Sequence, residues 1–279
     1  MEPIKAAIER ARHQRNSGEA PGFKKRSPAS AAPVPNDEAL TGIEYTHTFQ
    51  HQVSRDDLAA NRVIAQEKRH AFADAYRMLR TQVLSKLRDN GWTTLGVTSA
   101  GAGQGKTLTA TNLAISMARN VKHTVLLADF DLRRPNVRNL FNYEREGGLI
   151  DCIERGLPVE DVLFTPDIDG LVVLPGGEAV DESSELLGTA RVSGLVQELR
   201  DRYQNRIVIF DLPPLLVTDD VFEIMPQLDS LLFVVEEGKT RRDEVARCMD
   251  LLEGKNLIGT ILNKSRDSQS SYGYQTPYY

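Results

Sequence analysis

The sequence predicts an α/β fold in which a mostly parallel β-sheet carries helices on both faces. Two observations predict it. From about residue 62 to 266, short apolar runs alternate with segments patterned as helices, as expected for a parallel sheet covered on both sides. The first of these runs leads directly into a glycine-rich loop and a helix, the layout by which such sheets hold phosphate groups at the carboxyl ends of their strands.

In chain order, the predicted strands are Thr94–Thr98, Thr124–Ala128, Gly170–Leu174, Arg206–Phe210, Ser230–Val235 and Leu257–Leu262. They are short, apolar and often β-branched, and they end in polar or turn residues. Helical spacing predicts Lys106–Arg119, Glu185–Tyr203 and Arg241–Leu252 between them. Right-handed crossovers then place all loops that follow the strands on one edge, the ligand edge of such folds. Three zones result: a flexible basic arm and linker over 1–61, a P-loop NTPase domain over 62–266, and a tyrosine-rich tail over 267–279.

The glycine-rich loop reads Ser99-Ala-Gly-Ala-Gly-Gln-Gly-Lys-Thr107. Gly101, Gly103 and Gly105 permit backbone angles and a close approach that a side chain blocks. The N–H groups of the loop, from Gly101 through Ala102, Gly103, Gln104 and Gly105 to Lys106, Thr107 and Leu108, face a polyanion at the helix start. Lys106 can bridge the β- and γ-phosphates, and the Thr107 hydroxyl can ligate Mg2+. Ala100 stands where the strict pattern has its first glycine, so the turn must tolerate a Cβ there. Strand, loop, Lys-Thr and helix agree, and ATP with Mg2+ is the expected ligand pair.

Phosphoryl transfer also needs acids for the metal and the attacking hydroxyl. Two apolar runs end in them: Val125-Leu-Leu-Ala-Asp129-Phe-Asp131 and Ile207-Val-Ile-Phe-Asp211. In an extended segment Asp129 and Asp131 point to the same side. A single Asp after a strand is commonly a turn or capping residue; three beside a phosphate loop point to chemistry. Asp129 and Asp131 suit acceptance of a hydroxyl proton, and Asp211 suits Mg2+ binding through water. Thr107, Asp129 and Asp211 are the metal-side candidates, and Lys106, Asp129, Asp131 and Asp211 the catalytic ones. Asn263, at the end of the last strand, can contact adenine or serve as a strand-end turn. Arg133 and Arg134 can meet phosphate or a neighbouring subunit, or start a helix on the surface.

Four of the eight tyrosines, Tyr272, Tyr274, Tyr278 and Tyr279, fall in the tail. A core has no use for them at a chain end, whereas a mobile phosphoacceptor segment does. Each phosphate adds roughly −1.5 to −2 charge, so several together repel one another. At the other end, Ile4, Ala7, Ile8 and Ala11 lie at helical spacing among seven Lys/Arg and three Glu in residues 1–30. This arm reads either as a docking element for a partner or an acidic membrane surface, or as a solvated arm.

The net charge of −5 argues against a nucleic-acid binder. Cys152 and Cys248 are far apart and fit a reducing compartment. The five histidines form no ligand spacing. No apolar run is long enough to span a bilayer, and Met1–Arg15 has no apolar core of a signal peptide. A cytoplasmic protein is expected, with any link to the inner membrane made through a partner.

Ala128-Asp-Phe-Asp-Leu-Arg-Arg-Pro135, the glycine-rich loop and Asp211-Leu-Pro-Pro214 together resemble the bacterial tyrosine kinases (BY-kinases) of capsule and exopolysaccharide export. The resemblance covers roughly 62 to 279 and includes Gly148-Leu-Ile-Asp151 and Ser184-Glu-Leu-Leu187. Asp74-Ala-Tyr-Arg77-Met-Leu-Arg80 is similar to the family's acidic-x-x-Arg-x-x-Arg segment for ring assembly, with Asp74 in place of Glu. Leu212 stands where Thr is usual. The resemblance implies autophosphorylation of the tail in trans within a homo-oligomeric ring, control of polymer synthesis and export, activation by a transmembrane polysaccharide co-polymerase (chain-length regulator), and reversal by a cognate tyrosine phosphatase. The basic arm resembles that of stand-alone kinases found beside exosortase systems.

The main alternative is an ATPase switch of the ParA/MinD kind, used in partitioning or positioning. Such proteins carry a lysine five residues before the P-loop Lys; here Gly101 stands there. An iron–sulfur carrier needs a C-x-x-C pair, which the chain lacks. An inactive structural subunit does not need Lys106, Thr107, Asp129, Asp131 and Asp211 intact.

Overall fold

The computed structural model describes residues 48–67, 70–119, 124–202 and 206–265. The strands are β1 (Phe49–Gln50), β2 (Thr94–Ser99), β3 (Thr124–Asp129), β4 (Phe164–Thr165), β5 (Leu171–Leu174), β6 (Arg206–Asp211), β7 (Ser230–Glu236) and β8 (Leu257–Asn263). They form one sheet in the order β1-β4-β5-β3-β6-β2-β7-β8. Every pairing is parallel except β4 with β5. The helices are α1 (Arg55–Ala60), α2 (Ala71–Asn90), α3 (Lys106–Ala118), α4 (Val137–Leu140), α5 (Leu149–Glu154), α6 (Val159–Val162), α7 (Ser183–Leu187), α8 (Ala190–Asp201), α9 (Asp220–Ile224) and α10 (Arg242–Leu251).

Side chains alternate across the strands, and both faces are buried. Leu126, Ala128, Val208, Phe210, Leu231 and Phe233 meet Leu149, Leu187, Val192, Val221 and Cys248 on one face. Leu95, Val97, Val125, Leu127, Ile207, Ile209, Leu232 and Val234 meet Leu87, Leu113 and Met117 on the other. Gly96, in central strand β2, is needed for closeness rather than flexibility. A Cβ there would lie 2.7–2.8 Å from methyls of Leu212, Leu228 and Leu231.

Three sequence expectations change. The folded unit begins ahead of residue 62: Phe49 and Gln50 pair with β4, and Leu58 of α1 is buried. The strand is two residues long and polar in part, so periodicity is silent about it. An aromatic group anchors it, with Tyr143 stacked on Phe164 at 3.8 Å and His51 edge-on to Tyr143 at 5.2 Å. Second, the helix expected over 185–203 is two helices. The chain breaks at Gly188, and Thr189 starts α8 by accepting the N–H of Val192 at its Oγ. Third, Gly170 is a turn residue with φ +78°, so β5 starts at Leu171. The arm before residue 48, and the tail from residue 266, lie outside the described residues.

Candidate functional site

β2 ends at Ser99, and the chain turns through the glycine-rich loop into α3. Gln104 folds across this turn: its Oε1 accepts the N–H of Ala100 at 3.1 Å. Ala100 itself is buried in the apolar core, so its Cβ is used for packing rather than merely tolerated. Gly105 adopts φ +93°, and a Cβ there would lie 2.0 Å from Asn263 Nδ2; only glycine fits on both counts. α3 begins at Lys106, so its free backbone N–H groups open onto the loop.

β3 and β6 are neighbours in register, and Asp129 pairs with Asp211 across them. Two carboxylates therefore stand side by side at the carboxyl edge of the sheet, next to β2 and its loop. Lys106 reaches over them: its Nζ lies 2.8 Å from Asp131 Oδ2 and 3.3 Å from Asp211 Oδ1. Thr107 Oγ1 donates to Asp211 Oδ2 at 2.6 Å. Asp129, Asp131 and Asp211 are all buried. Asp129 and Asp131 turn to different partners. Asp129 accepts the N–H groups of Asn136 (2.8 Å), Val137 (2.9 Å) and Asp131 (3.2 Å), and so shapes the loop after β3. Asp131 faces Lys106 and accepts the Arg134 N–H at 3.2 Å.

Burial pushes the Asp129 carboxyl up to about 8, and the adjacent Asp211 adds to the rise. Burial likewise raises Asp211, against the pull of Lys106 and Thr107. Burial works against the Lys106 ammonium, yet Asp211 and Asp131 outweigh it and hold its pKa above the usual value. Asp131 and Asp211 thus pair with one ammonium while Asp129, largely protonated at neutral pH, stands beside Asp211; a further cation here would favour the ionised form of these carboxyls. Among the described residues, no three His, Cys, Asp or Glu side chains are grouped to hold a metal ion alone. A cation here would draw on the Thr107 hydroxyl, Asp211, water and ligand oxygens, the donor set of a Mg2+ ion.

Other expected residues are also placed. Gly101, Ala102, Gly103, Gln104, Gly105, Lys106, Thr107 and Leu108 form the loop and the first turn of α3. Asn263 closes on the loop, donating Nδ2 to Gln104 O at 2.9 Å. Asp74 and Arg77 pair with each other on α2. Arg80 turns inward and donates to Ser116 O of α3 at 3.0 Å. Tyr272, Tyr274, Tyr278 and Tyr279 lie outside the described residues. Two features escaped the sequence reading. Lys264 Nζ donates to Gly103 O at 2.8 Å. Asp220, fully buried, takes Arg133 Nε at 3.2 Å and the hydroxyls of Ser183 and Thr218. The Thr-Asp-Asp run at 218–220 was the only sequence signal for it. No helix among the described residues is long and apolar enough to cross a membrane.

Residues 95–274 match the family of CobQ/CobB/MinD/ParA nucleotide binding domains. The chain is 31% identical over 217 residues to the tyrosine-protein kinase YwqD of Bacillus subtilis, covering 77% of this chain and 90% of that one. It is 25% identical over 205 residues to the putative tyrosine-protein kinase CapB of Staphylococcus aureus, covering 72% and 89%. The kinase domain of the Escherichia coli tyrosine kinase ETK superposes with a TM-score of 0.65 at 28% identity, covering 87% of this chain and all of that one. The chain belongs to the bacterial tyrosine-protein kinases, built on the CobQ/CobB/MinD/ParA nucleotide-binding domain.

Proposed function

We propose that this protein-tyrosine kinase transfers the γ-phosphate of ATP, with Mg2+, to the tyrosines of its own tail in trans. The observation that carries the reading is Lys106 held among Asp131, Asp211 and Thr107 at the mouth of the phosphate loop. On binding ATP, Lys106 exchanges its carboxylate partners for the β- and γ-phosphates. That exchange frees Asp131 Oδ2, which then takes the proton of the attacking tyrosine hydroxyl, whose unperturbed pKa is about 10. The tyrosine oxygen bonds to the γ-phosphorus, and the bond to the β–γ bridging oxygen breaks and leaves ADP. Thr107 and Asp211 would hold a Mg2+ ion, with Asp129 beside Asp211, and such an ion would supply neutralisation of the phosphate charge. Asp129 serves mainly to brace the loop, because its oxygens accept three backbone N–H groups.

The tyrosines Tyr272, Tyr274, Tyr278 and Tyr279 are the proposed acceptors, and Asp74, Arg77 and Arg80 the proposed ring contacts. Arg80 would act through α3, and Asp74 with Arg77 at the exposed surface of α2. Regulation of exopolysaccharide or capsule export, a transmembrane co-polymerase as activator, a cognate tyrosine phosphatase and a peripheral position at the inner membrane complete the reading. They rest on the resemblance to the bacterial tyrosine kinases of capsule and exopolysaccharide export and on membership of the bacterial tyrosine-protein kinases. The test is to incubate the full chain with ATP and Mg2+, alone and with a cytoplasmic activator segment fused to it. Phosphotyrosine is expected in residues 272–279; ATP hydrolysis with no phosphotyrosine in either form would favour an ATPase switch.

A further inference from the structure

The carbonyls of the phosphate loop are gripped from behind by the end of β8. Asn263 Nδ2 donates to Gln104 O at 2.9 Å, and Lys264 Nζ donates to Gly103 O at 2.8 Å. Lys264 Nζ is itself fixed 3.0 Å from Glu236 Oε1, at the end of β7, where the Glu236 side chain is only 12% exposed. Backbone holds the same corner: Glu237 N donates to Asn263 O at 3.0 Å. Lys264 sits at φ +56°, a left-handed conformation that a residue with a Cβ seldom adopts.

A trans peptide is planar, and its C=O and N–H point in opposite directions. The carbonyl of Gly103 shares a peptide with the N–H of Gln104, and that of Gln104 with the N–H of Gly105. Drawing both carbonyls toward β8 therefore turns both N–H groups the other way, into the loop. These are the N–H groups a phosphate loop offers to its anion. The space is also matched: Gly105 lacks the Cβ that would collide with Asn263 Nδ2.

We propose that Asn263 and Lys264, with Glu236 behind Lys264, are positioning residues that preset the peptide planes of the phosphate loop. They do so without touching the phosphates. Lys264 then serves affinity for the polyphosphate rather than charge neutralisation of it. The inference rests on reading residues 99–107 as the phosphate loop.

The experiment is calorimetric titration of the full chain with Mg·ADP, with the unliganded melting temperature recorded in parallel. The variants are Lys264→Met, Lys264→Arg and Glu236→Gln. Lys264→Met is expected to weaken Mg·ADP binding about 10-fold, the order of one hydrogen bond from a charged donor. Lys264→Arg should recover most of that loss, since it keeps a cationic donor. Glu236→Gln should weaken binding by a smaller factor in the same direction. In steady-state kinetics with ATP varied, the loss in Lys264→Met should appear in KM, with kcat at saturating ATP little changed. Binding by Lys264→Met within twofold of wild type would overturn the proposal. So would a loss that Lys264→Arg fails to recover, or one tracked by an equal loss in unliganded stability. If Lys264→Met does not fold, Glu236→Gln decides on the same terms. Failure of the wild-type chain to bind Mg·ADP would instead overturn the loop reading itself.

Discussion

Thr107 and Asp211 are joined by a 2.6 Å hydrogen bond between the first turn of α3 and the end of β6. The bond ties the hydroxyl that follows the P-loop lysine to the acid that closes the second apolar run, residues 104 apart in sequence. Both groups are the proposed holders of Mg2+. Nucleotide binding should then weaken when EDTA is added to wild-type protein, and Asp211→Ala should show little further change with EDTA. Calorimetry with and without the chelator reads the ratio directly.

Lys106 pairs with two buried carboxylates, Asp131 and Asp211. Removing one partner of a buried ionic group leaves uncompensated charge, at a cost of roughly 3–5 kcal/mol. Partial protonation of the carboxyls relieves some of it, so Lys106→Met should lower unliganded stability by about 2–3 kcal/mol at neutral pH. Adding Asp131→Asn should restore part of the loss. Urea denaturation of the single and double variants checks both signs.

Burial raises the folded-state pKa of Asp129 from 3.8 to about 8. The folded state therefore binds this proton more tightly than the unfolded chain does. Its contribution to stability is full below about pH 4 and is lost as pH rises toward 8. Ligand-free protein should lose stability between about pH 5 and pH 8, and Asp129→Asn should flatten that slope. Denaturant midpoints across the range measure it.

Asp229 shows the opposite sign. Burial pulls its pKa up, but the N–H groups of Thr93 and Thr94 and the Arg200 guanidinium outweigh this, so it is lowered. Its Oδ2 accepts both N–H groups at 2.9 and 3.0 Å, and its Oδ1 accepts Arg200 at 2.7 Å. The stability it contributes is present above the unfolded carboxylate pKa and is lost as pH falls through the lowered one. Asp229→Ala should cost about 2–3 kcal/mol at neutral pH, read as a shift in the urea midpoint with little change in slope.

The six longer strands were legible because each is an apolar run between polar ends; β2, β3, β5, β6 and most of β7 are buried on both faces and need no alternation to be found, while β8 is the half-exposed edge strand. The phosphate loop was legible because glycine, lysine and threonine at fixed spacing have few other uses. β1 was not: Phe49–Gln50 gains its place from β4 and from the Tyr143–Phe164 stack, partners more than 90 residues away in sequence. The pairing of Asp129 with Asp211 follows from β3 and β6 being neighbours, which sequence order does not state. Lys264 was missed for the same reason. Its role depends on β8 lying beside β7, and nothing local distinguishes it from an ordinary strand-end lysine.

Tyrosine transfer is tested most directly by mapping phosphate by mass spectrometry after incubating the full chain and Lys106→Met with Mg·ATP. Phosphotyrosine is expected at Tyr272, Tyr274, Tyr278 or Tyr279 in the wild type and none in Lys106→Met. Phosphotyrosine that persists in a folded Lys106→Met protein, or ATP turnover that leaves every one of these tyrosines unmodified even with an activator segment fused, would contradict it.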